Sequence, residues 1–181
     1  APNFYGTSGY AGYLGAPADM SMLGYRSGNS QNAVVRTRML PNTKGLVTSS
    51  DASEITTNSS WDNMLGVSPV GSTLTTLISW TWKRAPGYFD VLAYDGTGTS
   101  NQTLKHNLGV VPEMMWVKCR DNIRNWSALI PAIALSGGSG DYMQGVINAD
   151  IAFYDRSYSS PTNSLASPPT DTTFELLGNA S

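Results

Sequence analysis

The stretch Ile78-Ser79-Trp80-Thr81-Trp82 decides the fold class of this 181-residue chain. Ile78, Trp80 and Trp82 alternate with Ser79 and Thr81, and this period of two places the large side chains on one face of a β-strand. Aromatic and β-branched residues also fit the pleated, half-buried surface of a sheet. The stretch therefore predicts a strand.

Similar alternation appears in the sequence that follows. Residues 89–94 and 114–119 alternate large apolar residues with other side chains, and residues 126–130 and 174–177 are weaker strand candidates. Turn-forming residues separate these runs, and the sequence DGTG at 95–98 has the composition of a hairpin connection. These patterns predict several short antiparallel strands.

Helix signals are poor along the whole chain. No long stretch has apolar residues at helical spacing between capping residues, and 18 glycines and 10 prolines interrupt the sequence. We therefore predict an all-β fold of sandwich-like antiparallel sheets, with long loops and little helix. Residues 74–130 should form the best-defined sheet region, and the small, polar residues of 134–172 should form long loops.

The composition excludes several classes of function. Charged residues make up 13% of the chain, against about 25% in typical soluble proteins, and the net charge is -2. Lys and Arg are scattered rather than clustered, which argues against nucleic-acid binding. No apolar run approaches the ~20 residues of a membrane span, so we expect no membrane insertion. A single cysteine excludes an internal disulfide framework and favours synthesis in a reducing cytoplasm.

Four features follow one another in the middle of the chain: ISWTWKRAPGYFDV at 78–91, YDGTG at 94–98, LKHNLGVVPEMMWVK at 104–118 and Trp126. Together they resemble a repeat module found in tail-fibre and other virion proteins of phages, including marine and cyanobacterial phages. The module has the same order: an aromatic strand, a Pro-Gly-aromatic turn, a Tyr-x-Gly-x-Gly hairpin, a His-x-Leu-Gly-x-x-Pro segment, and a Val-Lys strand with a Trp downstream. The match spans roughly residues 74–130.

The resemblance implies a virion role without a catalytic centre or a cofactor. It implies a non-enzymatic structural or adhesive part of a bacteriophage particle, in the first place a tail fibre for host attachment. Its partners would be two further copies in a homotrimer, other virion proteins and a host surface glycan. A capsid decoration or other tail structural protein is an alternative, and so is a carbohydrate-binding protein or glycan-acting enzyme.

The resemblance also suggests a domain organisation. Residues 1–73 form a Gly/Tyr/Ser-rich segment that could end a preceding repeat, and residues 74–181 form the β-sandwich-like virion module. Copies of the module usually continue with another aromatic strand, whereas this sequence stops at Asn179-Ala180-Ser181. We expect either a truncated module or a last strand supplied by a neighbouring subunit.

Metal-binding residues are few and poorly spaced. One histidine and one cysteine exclude a His/Cys zinc site within one chain. Two polar stretches hold carboxylates without the alternating pattern of a calcium loop, so solvated loops are expected and calcium is the alternative. These carboxylates are Asp51, Glu54 and Asp62, and Asp141, Asp150 and Asp155.

His106 and Cys119 are the residues with the most obvious catalytic potential. His106 is interpreted as the end of a strand, with a ring that fixes the turn at Leu108-Gly109, because no nucleophile elbow accompanies it. Cys119 alternates with Met115 and Val117, which predicts a buried, apolar thiol. A general base and a nucleophile are the alternatives for these two residues.

Aromatic residues are the candidate receptor contacts. Their rings offer apolar faces that match the C–H faces of sugars. Tyr142, Tyr154 and Tyr158 lie in the predicted loop region, so we expect them at the surface, together with the tyrosines of residues 1–32. The tryptophans of the strand-rich region, Trp80, Trp82, Trp116 and Trp126, are expected in the core or in a subunit interface.

Overall fold

A computed structural model of the protein describes residues 18–25, 32–57, 60–62, 66–68, 77–98, 101–131, 140–158 and 164–177. In these residues the chain forms thirteen β-strands and no helix, which confirms the predicted all-β class. The strands are β1 (Met20–Tyr25), β2 (Val34–Thr37), β3 (Lys44–Val47), β4 (Ile55–Thr56), β5 (Ser60–Asp62), β6 (Gly66–Ser68), β7 (Leu77–Trp82), β8 (Gln102–Lys105), β9 (Met115–Val117), β10 (Ser127–Ile130), β11 (Tyr142–Val146), β12 (Tyr154–Arg156) and β13 (Thr173–Leu176).

The chain divides into two compact units. Unit 1 contains Ala1–Arg84 and Arg120–Ile123, and unit 2 contains Ala85–Cys119 and Arg124–Ser181. The predicted division into residues 1–73 and 74–181 concerns repeat modules rather than compact units, and it stays a prediction. The same holds for the expected truncation, because Asn179–Ser181 and residues 1–17 lie outside the described residues.

Unit 1 is built on a five-stranded antiparallel sheet with the order β4-β3-β2-β1-β7, beside a ribbon of β5 and β6. In the register of β1, Met22 lies opposite Val35 of β2 and opposite Trp80 of β7. Leu23 packs with Ala18 and with Trp61 of β5 in a buried cluster. The predicted strand at residues 78–82 is therefore confirmed as part of β7, at one edge of this sheet.

Arg36 of β2 is almost completely buried in unit 1. Its guanidinium donates a hydrogen bond of 2.6 Å to the hydroxyl of Thr57 and another to the carbonyl oxygen of Asn42. Burial lowers the pKa of Arg36 to about 10. The side chain thus joins β2 to the segments that precede β3 and follow β4, and buried cations of this kind need such hydrogen bonds.

Unit 2 contains a four-stranded antiparallel sheet, β12-β11-β10-β9, and a two-stranded antiparallel ribbon of β13 and β8. Both contribute to one hydrophobic core, which gives the unit its sandwich-like character. Leu129 and Tyr142 come from the sheet, and Leu104 and Phe174 come from the ribbon. The core is completed by Leu165 and Leu176, with Leu92, Met115, Val117 and Tyr158 packed against it.

The strand predicted at residues 89–94 is wrong. Phe89 forms only an isolated bridge with Ala85, across a tight turn. The carboxylate of Asp90 accepts hydrogen bonds of 2.8 Å from the backbone N–H groups of Val91 and Asn107. A side chain that bonds to nearby backbone in this way competes with sheet pairing. Consequently the turn-like residues 95–98 do not connect a hairpin, and β8 pairs with β13 instead.

The prediction of long loops over residues 134–172 is wrong in part. This region contains β11 and β12, which pair with each other, and β11 also pairs with β10. Tyr142 and Gln144 are buried, and Gly145 lies between them and the end of the strand. The sequence did not predict β11, because its polar and small residues do not form an alternating hydrophobic pattern. The predicted strands at 114–119, 126–130 and 174–177 are confirmed as β9, β10 and β13.

Candidate functional site

His106 has the structural role that its sequence context predicts. It directly follows β8 and is only 6% exposed. Its Nδ1 accepts a hydrogen bond of 3.3 Å from the backbone N–H of Leu108, so the proton lies on Nε2, which donates to the carbonyl oxygen of Thr170 at 3.3 Å. The ring also stacks on Phe174 with centroids 6.1 Å apart. Both nitrogens are engaged in holding the turn after β8 against the segment before β13.

Cys119 differs from its prediction. Its thiol is half-buried rather than fully buried, because β9 ends at Val117 and the alternation does not continue to residue 119. The neighbouring Lys118 donates from Nζ to the Cys119 carbonyl oxygen at 2.8 Å. Across the described residues, no group of three or more His, Cys, Asp or Glu side chains lies close enough to hold a metal ion.

The four tryptophans expected in the core or an interface differ in burial. Trp126 is buried in unit 2, as predicted, and Trp82 is half-buried, but Trp80 and Trp116 are 45% and 44% exposed and are not core residues. Both lie on strands at the edges of their sheets, β7 and β9. The ring of Trp80 covers Gly24 on the adjacent strand, where a Cβ would lie 3.2 Å from a ring carbon. The interface role expected for these two residues stays a prediction.

Tyr142 is not the surface residue that we expected. Its side chain is fully buried in the core of unit 2. The phenol oxygen accepts hydrogen bonds of 3.1 Å from the backbone N–H groups of Ser164 and Leu165. Burial is the main reason that the pKa of Tyr142 is raised. Because a buried ring cannot contact a receptor, we withdraw Tyr142 as a receptor contact.

Tyr154 and Tyr158 flank a third residue, Arg156, on the edge strand β12 and just beyond it. Tyr142 lies directly opposite Arg156 in the register of β11 and β12, and it stacks on Tyr158 with ring centroids 5.1 Å apart. Side chains two residues apart share one side of a strand, so Tyr154 and Arg156 lie on the same side of β12. Tyr158 joins them on that side through its stacking on Tyr142, and we call the three residues the Tyr–Arg–Tyr row.

The end of this row is held in place by Asp141. Its Oδ2 accepts hydrogen bonds from the Ser157 hydroxyl at 2.8 Å and from the backbone N–H of Tyr158 at 3.0 Å. The backbone of Asp141 also donates to the Arg156 carbonyl oxygen at 2.6 Å. Partial burial raises the pKa of Tyr158, and the Asp141 carboxylate and Tyr142 add to the effect. All three members of the row are half-buried.

The opposite, outer face of the same sheet carries two partly exposed aromatic rings. Trp116 lies opposite Ala128, and Ala128 lies opposite Gly145, so the three form one row across β9, β10 and β11. The ring of Phe153 covers Gly145, where a Cβ would lie only 2.7 Å from a ring carbon. Phe153 is 39% exposed. Ala128 and Gly145, the small residues of this row, are buried, so the two aromatic rings are its partly exposed groups.

The sequence predicted Tyr154 and Tyr158 as surface aromatics and missed Arg156 and Phe153. Arg156 was detectable in principle, because it lies two residues from each tyrosine. Phe153 was not, because its packing on Gly145 depends on the register of β11. The tyrosine side chains of residues 1–32 lie outside the part that the structure describes.

No protein-family model, no curated protein and no solved structure matches this chain. Within the described residues, no helix is long and apolar enough to cross a membrane.

Proposed function

We propose that this chain is a non-enzymatic structural and adhesive component of a bacteriophage particle, and that it belongs to a tail fibre. The observation that carries the proposal is the edge strand β9 with its exposed Trp116. The resemblance of residues 74–130 to a virion repeat module supplies the phage context. The structure supplies a surface suited to assembly.

The assembly part of the proposal rests on the edge of the unit 2 sheet. In the described residues, β9 pairs with β10 on one side and has no strand on the other. Soluble proteins usually protect such edges with charges or prolines, because an open edge pairs with other chains. Here Met114 is 54% exposed and Trp116 is 44% exposed. The indole N–H of Trp116 points to the sulfur of Met114 at 3.1 Å, which joins the two in one apolar patch.

The low charge of the chain also favours assembly of identical copies. A net charge of -2 gives little repulsion between subunits. Aromatic residues and Met are enriched in protein interfaces, and charged residues are depleted there. We therefore propose that copies associate through β9. The trimeric state is taken from the resemblance to phage fibres.

The adhesive part rests on the aromatic side chains that remain partly exposed. Trp116 lies on β9 and Phe153 packs on Gly145 of β11, and the two side chains are 44% and 39% exposed. Partly exposed aromatic rings are suited to stacking against sugars. The same observation favours a second candidate function, a carbohydrate-binding protein outside a virion.

Electron microscopy of the purified chain tests the proposal. Negative-stain images should show elongated particles with threefold views along their axis. Binding to host cells or to immobilised glycans should follow, with no release of reducing ends from those glycans. Compact particles without symmetry would remove the fibre assignment, and catalytic release of reducing ends would remove the non-enzymatic one.

A further inference from the structure

We propose that the Tyr–Arg–Tyr row binds a sugar that carries a carboxylate, through Arg156. This inference rests on the adhesive part of the proposed function. It places a second glycan contact at the edge strand β12, on the side of the sheet opposite Trp116 and Phe153, and names the class of glycan that this contact would recognise. The Cζ of the Arg156 guanidinium lies 4.5 Å from the centroid of the Tyr154 ring. The cation–π contact holds the planar group in one orientation without using its hydrogen-bond donors.

One of those donors, the buried Nε of Arg156, has no hydrogen-bond partner in the part of the chain that the structure describes. No carboxylate of the described residues forms an ion pair with this guanidinium. The buried Nε is closed to a ligand, but a half-buried cation without an ion-pair partner costs free energy. An added anion that meets the terminal Nη donors would recover part of that cost.

The nearby carboxylates do not take this role. Asp141 directs its Oδ2 to the Ser157 hydroxyl and the Tyr158 backbone N–H. Asp155 lies between Tyr154 and Arg156 in β12, so its side chain points to the opposite side of the strand. The guanidinium is thus the charged group on its side of the strand, and charge complementarity selects an anionic ligand.

The two tyrosines of the row narrow the class of ligand. The guanidinium covers one face of the Tyr154 ring, and Tyr142 covers one face of the Tyr158 ring, so each tyrosine has one ring face left for a ligand. Both rings are half-buried and keep some accessible surface. Rings of this kind contact the C–H faces of sugars, and the planar arginine fork matches a carboxylate with two parallel hydrogen bonds. An acidic sugar such as a uronic acid presents both features together.

Titration of the isotope-labelled chain, followed by NMR at the Arg156 Nε–H signal, tests the inference. We expect D-galacturonate to shift this signal and the Tyr154 ring signals, and D-galactose to leave them unchanged. Acetate and inorganic phosphate should shift the Nε–H signal at least tenfold more weakly than galacturonate at equal concentration. No response to galacturonate would overturn the site, and an equal response to acetate or phosphate would overturn the sugar assignment.

A pair of matched variants adds an independent readout by saturation-transfer NMR on galacturonate. Arg156→Lys keeps the charge but loses the fork, and should weaken binding about tenfold. Arg124→Lys, at an exposed arginine of the same unit, should not change it. Equal weakening by both variants would contradict the inference.

The particle mass of the wild-type chain, measured beside its binding of galacturonate, separates this inference from the proposed function. If galacturonate fails to bind while assembly is intact, the acidic-sugar site falls and the structural role stands. If wild-type chains do not assemble but bind galacturonate, the fibre role falls and the site stands.

Discussion

The phenol oxygen of Tyr142 accepts a hydrogen bond of 3.1 Å from the backbone N–H of Leu165, 23 residues later in the chain. Both side chains are fully buried in the core of unit 2. The same oxygen accepts a second backbone N–H from Ser164. One hydroxyl therefore satisfies two donors of a segment that would otherwise enter the core with unpaired polar groups.

Removal of this hydroxyl should destabilise unit 2. The substitution Tyr142→Phe leaves the N–H groups of Ser164 and Leu165 without an acceptor, which should cost about 1–3 kcal/mol of unfolding free energy. Urea unfolding followed by circular dichroism measures the change. The control is Tyr88→Phe, because Tyr88 is 71% exposed and the loss there should be close to zero. Equal stabilities of the two variants would show that the hydroxyl of Tyr142 is dispensable.

Stability should fall in alkaline solution. Burial raises the pKa of Tyr142 above the usual value of about 10. The pKa of Tyr158, which is less buried, is also raised. The folded chain then keeps protons that the unfolded chain releases, so the contribution is complete below about pH 10 and is lost as the pH rises through the folded-state values. Urea midpoints between pH 8 and 11 should decline above pH 10, and less steeply in Tyr142→Phe. A steeper decline in that variant would refute the contribution of Tyr142 to the alkaline loss of stability.

The contact between Gly145 and Phe153 should not tolerate a larger residue. In Gly145→Ala, the new Cβ would lie 2.7–2.8 Å from three ring carbons of Phe153, so the ring must move, at a cost of about 1–3 kcal/mol. Phe153→Ala in the same chain should remove most of that penalty in a double-mutant cycle. Gly96→Ala is the control, because nothing lies within 4 Å of that site. Additive effects of the two substitutions would contradict the contact.

Glu54 and Arg120 should stabilise unit 1 modestly. Glu54 Oε2 lies 2.8 Å from Nη2 and 2.9 Å from Nε of Arg120, and the partly exposed pair is screened by solvent. We expect Glu54→Gln to cost about 0.5–1 kcal/mol, and less in 1 M NaCl. Lys44→Ala is the matched comparison, because its Nζ is 3.9 Å from Glu54 and should contribute less. A larger loss from Lys44→Ala would reverse this ranking.

The sequence was sufficient for the fold class and for the strands with dense aromatic or aliphatic alternation. The run at Ile78–Trp82 and the run at Ser127–Ile130 both form strands for that reason. It was insufficient at Asp90, whose carboxylate accepts the backbone N–H of Val91 within the predicted strand and that of Asn107 outside it. It was also insufficient at β11, whose burial comes from packing against the β8 and β13 ribbon rather than from local pattern.

The candidate site was predicted in part for a related reason. Tyr154 and Tyr158 are half-buried at a sheet edge. Tyr142 lies on the adjacent strand β11 and is fully buried in the core. Alternation along one strand predicts which residues share a side, whereas burial depends on what packs against that side. Only the register of β11 against β12 reveals that Tyr142 stacks on Tyr158 and lies opposite Arg156.

Copies of this chain should associate through β9 and its exposed Trp116. Native mass spectrometry gives the mass of the assembly and so the number of copies in it. We predict three copies of the 19.4 kDa chain, and dissociation in Trp116→Lys but not in Ile123→Lys, which places the same charge at an equally apolar, 69% exposed residue outside the sheets. A monomeric wild-type chain, or a Trp116→Lys trimer as stable as the wild type, would contradict association through β9.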